Sequence, residues 1–130
     1  MPFYLAATTG AAGFALQNAT PTIVSWTAPN DGQLHSVNLS VKLNVGSGMT
    51  GGTAGVQVTE LGSASADTSV TVFNAKASTG WFHFPDNPAP DVWLIGPGAT
   101  IAVVQLAALT AGAATIYANI YVADYFTPNA

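Results

Sequence analysis

The plainest pattern in the chain is strict alternation. Val37, Leu39, Val41, Leu43 and Val45 take every second position, with Asn38, Ser40, Lys42 and Asn44 between them. A period of two sends successive side chains to opposite faces of an extended segment, so Leu34 to Val45 is predicted as a strand with one face in a core. The pattern returns near the end, where Ile116, Ala118, Ile120 and Val122 alternate with Thr115, Tyr117, Asn119 and Tyr121. Ile101 to Leu109 is more uniformly apolar, as expected of a strand covered on both faces. These last two segments are predicted to pair as a long antiparallel hairpin turning near Thr110–Ala113. The uncharged run Thr100 to Ala123 is also long enough to cross a bilayer. Gly112 and its small neighbours interrupt it, Gln105 and Asn119 would be stranded in lipid, and no Lys or Arg flanks it, so strands are the preferred reading.

Between these segments the chain is punctuated by turns. Ala28-Pro29-Asn30-Asp31-Gly32 is a turn signal, because Pro presets one dihedral and Asn, Asp and Gly tolerate left-handed conformations. Short strands are expected at Phe14–Asn18, Thr22–Thr27, Val56–Leu61, Ser69–Asn74, Trp81–Phe84 and Val92–Ile95. Gly46 to Gly55 (GSGMTGGTAG) reads as a flexible loop, and no following Lys and helix make it a phosphate cradle. Pro85 to Pro90 stiffens another loop. Met1 to Gly13 has no helical period and is expected to be an extended arm or first strand, with a frayed terminus as the plain alternative. The expected fold is therefore all-β: a single-domain β-sandwich or jelly roll (residues 14–130) of about eight antiparallel strands, with an extended N-terminal arm (residues 1–13).

Composition narrows the partners. Only 6% of the 130 residues are charged, against about 25% in ordinary domains. Lys42 and Lys76 are the only basic residues, and net charge is −4. Two cations provide no electrostatic footprint for nucleic acid or anionic lipid, so neither is expected as a partner. A 49% apolar content excludes a disordered chain. Charge this sparse suits a β domain that hides surface against other chains. Without cysteine there is no disulfide framework. The N-terminus lacks the basic segment of a secretory signal, so export by that route is not expected.

Candidate chemistry is thin. His83, Asp86 and Asp91 could hold a divalent ion, but their spacing fits no defined site and a surface loop is the simpler reading. No serine sits in a nucleophile elbow, and paired carboxylates would have to come from Glu60 and scattered aspartates. No catalytic residue, metal or cofactor is expected. His35 is expected to be an exposed strand residue without a partner. Phe82, His83, Asp86 and Asn87 could build a sugar-binding pocket on aromatic faces, with core packing under the proline-rich loop as the rival.

The APNDG turn opening LHSVNLSVKLNV, the glycine-rich loop after it, and GPGATIAVV leading into ATIYANIYVADY together resemble jelly-roll domains of the tumour-necrosis-factor and C1q type. The likeness spans roughly Thr22 to Tyr125. It is nearest to the small uncharged versions that serve tailed bacteriophages as capsid decoration (cement) proteins or as heads of fibres and spikes. The resemblance implies a homotrimer on the outer surface of a phage head, made in the host cytoplasm and bound to the major capsid protein. It places Tyr117, Tyr121 and Trp81 at the trimer interface. The arm, with Pro2, Phe3, Tyr4 and Leu5, is the expected capsid-binding element, since an extended segment can add a strand to a partner sheet. The alternative is a carbohydrate- or receptor-binding head of a fibre or spike.

Overall fold

The computed structural model describes residues 3–60, 68–83 and 92–126, with side chains described for residues 10, 13–60, 68–83 and 92–122. The alternating segments are strands, and no described residue is helical. Nine strands follow in chain order: β1 (Phe3–Ala15), β2 (Thr22–Thr27), β3 (His35–Gly51), β4 (Ala54–Thr59), β5 (Thr68–Phe73), β6 (Gly80–His83), β7 (Val92–Ile95), β8 (Thr100–Gln105) and β9 (Leu109–Phe126).

They form two antiparallel sheets. Sheet A has the order β1-β9-β3-β6, with β7 on the same side of β3 as β6; sheet B has the order β2-β8-β4-β5. β6 pairs with Lys42–Val45 and β7 with His35–Asn38, while β9 runs along the other side of β3. With β6 and β7 taken as one interrupted strand, the sandwich has two four-stranded sheets, and the chain crosses between them at almost every connection. This is jelly-roll topology, as the sequence pattern predicts.

The alternation decides which side chains meet in the core. Val37, Leu39, Val41, Leu43 and Val45 face inward beside Ile116, Ala118, Ile120 and Val122, in cross-strand pairs such as Leu43–Ile116 and Leu39–Ile120. Sheet B supplies Val24, Val56, Val72, Ile101 and Val103. β8 is buried along both faces, as its uniform apolarity implies: Ile101 and Val103 point in, while Ala102 and Val104 are also buried.

Four expectations about the fold are corrected. Ile101–Leu109 and the last strand do not form a hairpin: β8 belongs to sheet B and β9 to sheet A. Thr110–Ala113, the expected turn, lies inside β9. The chain changes sheets at Leu106–Ala108, where Leu106 N donates to Thr53 O (2.6 Å) and Leu109 N to Gln17 O (2.8 Å). Gln105, 1% exposed, locks the corner. Its Oε1 accepts from Gln17 N (2.9 Å) and its Nε2 donates to the carbonyls of Gln17 (2.6 Å) and Ala107 (3.0 Å).

The Gly46–Gly55 loop is mostly strand, because β3 continues to Gly51 and β4 begins at Ala54. The glycines here permit close backbone approach as well as turning. A Cβ on Gly112 would overlap the Gly48 carbonyl, and one on Gly48 would lie 2.6 Å from the Ala77 carbonyl oxygen. Register shifts between Val45 and Gly51 mark the bulges that fit these contacts. The expected strand at Phe14–Asn18 ends at Ala15, the last residue of β1.

The fourth correction concerns His35. It is 6% exposed, and its Nε2 lies 3.1 and 3.3 Å from the two carboxylate oxygens of Asp31. Its ring meets Trp26 edge-on at 5.6 Å. Strand parity turns His35 inward with Val37, and the turn before β3 folds Asp31 back over it.

Asp31 also accepts from Gln33 N (3.0 Å). That backbone bond chiefly holds its carboxyl below the ordinary value of 3.8; burial, next in size, opposes it, and the hydrogen bond and charge of His35 add to the lowering. A lowered carboxylate pKa adds stability above 3.8 that is lost as pH falls through the folded-state value. Asp31→Ala is therefore expected to lower Tm at pH 7, and the gap to the parent should close in scans below pH 3.8. A gap independent of pH would rule out this account of the turn.

Candidate functional site: the outer face of sheet A

Polar positions of β3 and β9 point away from the core, and together with β6 and β7 they make one outer face. Asn38 lies between Val92 and Tyr121, Lys42 between His83 and Tyr117, and Asn44 between Trp81 and Thr115. Leu94 sits opposite Ser36. Exposed large apolar side chains concentrate here: Trp81 (52%), Val92 (51%), Leu94 (68%) and Tyr121 (41%). Leu34 (64%) borders the face at the start of β3. Apolar surface gathered on one face, rather than scattered singly, marks an interaction surface.

The face has two halves, separated by about 13 Å of β3 at 3.3 Å per residue. One is apolar, with Leu34, Val92, Leu94 and Tyr121. The other is aromatic and cationic. There the Trp81 and Tyr117 rings meet at 5.5 Å with an interplanar angle of 41°. Lys42 Nζ lies over both, 5.0 Å from the Trp81 ring and 5.3 Å from that of Tyr117. Gly13, at φ 97°, leaves room beneath the tyrosine, since a Cβ there would approach the Tyr117 ring at 3.2 Å.

The expected trimer residues Tyr117, Tyr121 and Trp81 thus share one face, and two of them touch. The expected sugar-binding set does not assemble as drawn. Phe82 turns inward, half-buried against the core, with Lys76 Nζ 5.1 Å from its ring. His83 points to the outer face, and Asp86 and Asn87 lie outside the described residues. Sequence reasoning missed Lys42 as a member of the aromatic cluster, although its place in the alternation put it on the outer side of β3. Among the described residues no three metal-binding side chains gather. A surface cavity of about 240 Å³ beside Leu94 is lined by Val58, Glu60, Gly96, Pro97 and Ala99 and brings no reactive group together.

These residues define a jelly-roll domain with an apolar core and one aromatic-apolar outer face. No family model matches the chain, and no curated protein matches it. Solved structures share its fold. The structure of infectious bursal disease virus, Gx strain, superposes with a TM-score of 0.54 at 16% identity, over 93% of this chain and 33% of that one. The D431N mutant VP2 protein of the same virus, in derived T=1 particles, gives 0.53 at 15% identity, over 92% and 31%. The acid-stable capsid of Helicobacter pylori bacteriophage KHP30 gives 0.47 at 14% identity, over 98% and 99%. The chain spans about a third of the length of the infectious bursal disease virus chains it matches. For the two infectious bursal disease virus structures the likeness is one of fold.

Proposed function

We propose that the chain is a structural virion protein, a decoration (cement) subunit that trimerises and clamps neighbouring capsomers on the outer surface of a phage head. The observation that carries this reading is the jelly-roll sandwich, which superposes over nearly its whole length on chains from a virus particle. Scarce charge and an apolar half-face fit a surface covered by other chains. Its partners are further copies of itself and the major capsid protein. Its action is buried area, about 1,600 Å² at each standard contact, multiplied over a shell. No catalytic step or cofactor enters.

The subunit contact is assigned to the apolar half around Tyr121, with Tyr117 and Trp81 at its border. The capsid contact is assigned to Pro2, Phe3, Tyr4 and Leu5, of which Phe3 to Leu5 open β1 and Pro2 lies outside the described residues. β1 is an edge strand, paired only with β9 among the described residues, so its free side can accept a partner strand. The protein, made in the host cytoplasm, is to be mixed with capsids from its source that lack it and then sedimented. The expected result is saturation at a fixed ratio to the major shell protein; no co-sedimentation overturns the reading. Removing residues 1–5 retains the β1 pairs from Ala6 to Ala15 and is expected to weaken capsid binding at least tenfold in the same assay, with Tm little changed. Undiminished binding would overturn the assignment to β1.

A second reading, a carbohydrate- or receptor-binding head of a fibre or spike, is favoured by one observation: exposed Trp81 against half-buried Tyr117, beneath Lys42.

A further inference from the structure

We infer that the Trp81–Tyr117–Lys42 cluster is a binding site for an acidic saccharide, a pyranose bearing a carboxylate. The inference rests on the carbohydrate-binding reading of this half of the face, and it names the sugar class. Three observations carry it. Trp81 is half exposed on a short edge strand, and half-buried Tyr117 leans against it at 41°, so the two rings form an angled platform with Lys42 at its top. The C–H face of a pyranose is apolar and flat enough to stack on such a ring.

The second observation is the charge. Lys42 is one of two basic residues in a chain of net charge −4. Among the described residues it makes no ion pair and lies over the two rings. The carboxylates whose side chains are described, Asp31 and Glu60, lie away from this cluster, in the turn before β3 and after β4, where Glu60 lines the cavity beside Leu94. An ammonium has three donors, and its position over the rings leaves them for a ligand carboxylate at the platform's edge. The cation therefore selects an anionic partner over a neutral one.

The third is the polar frame. His83 lies across from Lys42, Asn44 is beside Trp81, and Asn119 is on the same face one step along β9 from Tyr117. These are the imidazole and amide groups that meet sugar hydroxyls in small-molecule sites, where few polar groups fix orientation beside an apolar surface.

The test uses the full chain, with tri-galacturonic acid and 3′-sialyllactose as acidic probes and maltotriose and lactose as neutral ones. Binding is read by saturation-transfer NMR and by tryptophan emission. Acidic probes are expected to bind about fivefold more tightly than neutral ones, the discrimination an exposed ion pair supplies, and to lose that advantage in high salt. Lys42→Met, which keeps the stem, should bring acidic probes down to the neutral level. Trp81→Ala should abolish binding of both, with the circular dichroism spectrum unchanged. Equal binding of acidic and neutral probes, abolished by Trp81→Ala, would overturn the inference while leaving the carbohydrate reading intact. Binding of no probe would overturn both. Binding that survives Trp81→Ala would overturn the site. Trp81 shielded from acrylamide quenching in an oligomer would show that a second copy covers the platform, and would overturn it as well.

Discussion

Gly112→Ala is expected to lower stability by about 3 kcal/mol or more, because two costs fall on one position. Gly112 has φ 85°, a conformation that side-chain-bearing residues rarely adopt. A Cβ there would also overlap the Gly48 carbonyl and come within 2.8 Å of Met49 Cα. Those atoms belong to the bulged part of β3, which is itself held by Met49 N donating to Lys76 O at 2.7 Å. The strand cannot retreat without breaking that bond or the β3–β9 ladder beside it. Gly32 separates the two costs. It has φ 74° but open space where a Cβ would go. Gly32→Ala is therefore expected to cost only about 1 kcal/mol. Urea titrations of both variants decide the matter through their midpoints at equal m-values. Equal losses would show that backbone conformation alone, not contact with Gly48, makes glycine necessary in β9.

Gln105→Ala is expected to cost about 3 kcal/mol, or about 10 °C in Tm for a chain of this size. The side chain is 1% exposed and makes three hydrogen bonds, two of them with the backbone of Gln17. Truncation leaves Gln17 N–H and the Gln17 and Ala107 carbonyls without these partners and opens a cavity at the corner between β8 and β9. Gln105→Leu fills the space but restores no hydrogen bond, so it should recover about 1 kcal/mol of the loss. If leucine restored full stability, the corner would be held by packing and the hydrogen bonds would be incidental. Calorimetry of the parent and both variants distinguishes these outcomes. The effect matters beyond stability, because this corner sends β9 into sheet A, where it carries Tyr117 and Tyr121.

The two halves of the outer face also explain why sparse charge suits this chain. The outward polar positions from Ser36 to Asn44 on β3 and from Thr115 to Tyr121 on β9 are Ser, Asn, Thr and Tyr with one Lys, so the face is wettable yet has little charge to desolvate when covered. The proposed subunit contact centres on Tyr121 and the proposed ligand site on the Trp81–Tyr117 pair at its border, so the two coexist only where that pair stays uncovered.

The alternation in β3 and β9 was sufficient to predict two long strands, their inward faces and the all-β class. Period two is local, and every one of those side chains then finds the core on its own side. Turn chemistry placed β2 and β7 at the residues where the structure has them. Partner choice was not legible. Ile101–Leu109 and Thr115–Val122 look like neighbours because they are adjacent in sequence, and nothing in either segment shows that Gln105 will be pinned to Gln17, 88 residues away. The glycines from Gly46 to Gly55 read as a loop because their small size has the same local signature whether it permits a turn or a close approach of backbones. His35 read as exposed because its partner lies in the preceding turn and its aromatic neighbour in another sheet. The aromatic residues were visible one by one, but the platform they form was not. Trp81, Tyr117 and Lys42 come from three strands, and only cross-strand register brings them within 5.5 Å of one another. Local pattern determined what each strand buries; long-range pairing, fixed by loop crossings and backbone contacts, decided which exposed side chains stand together.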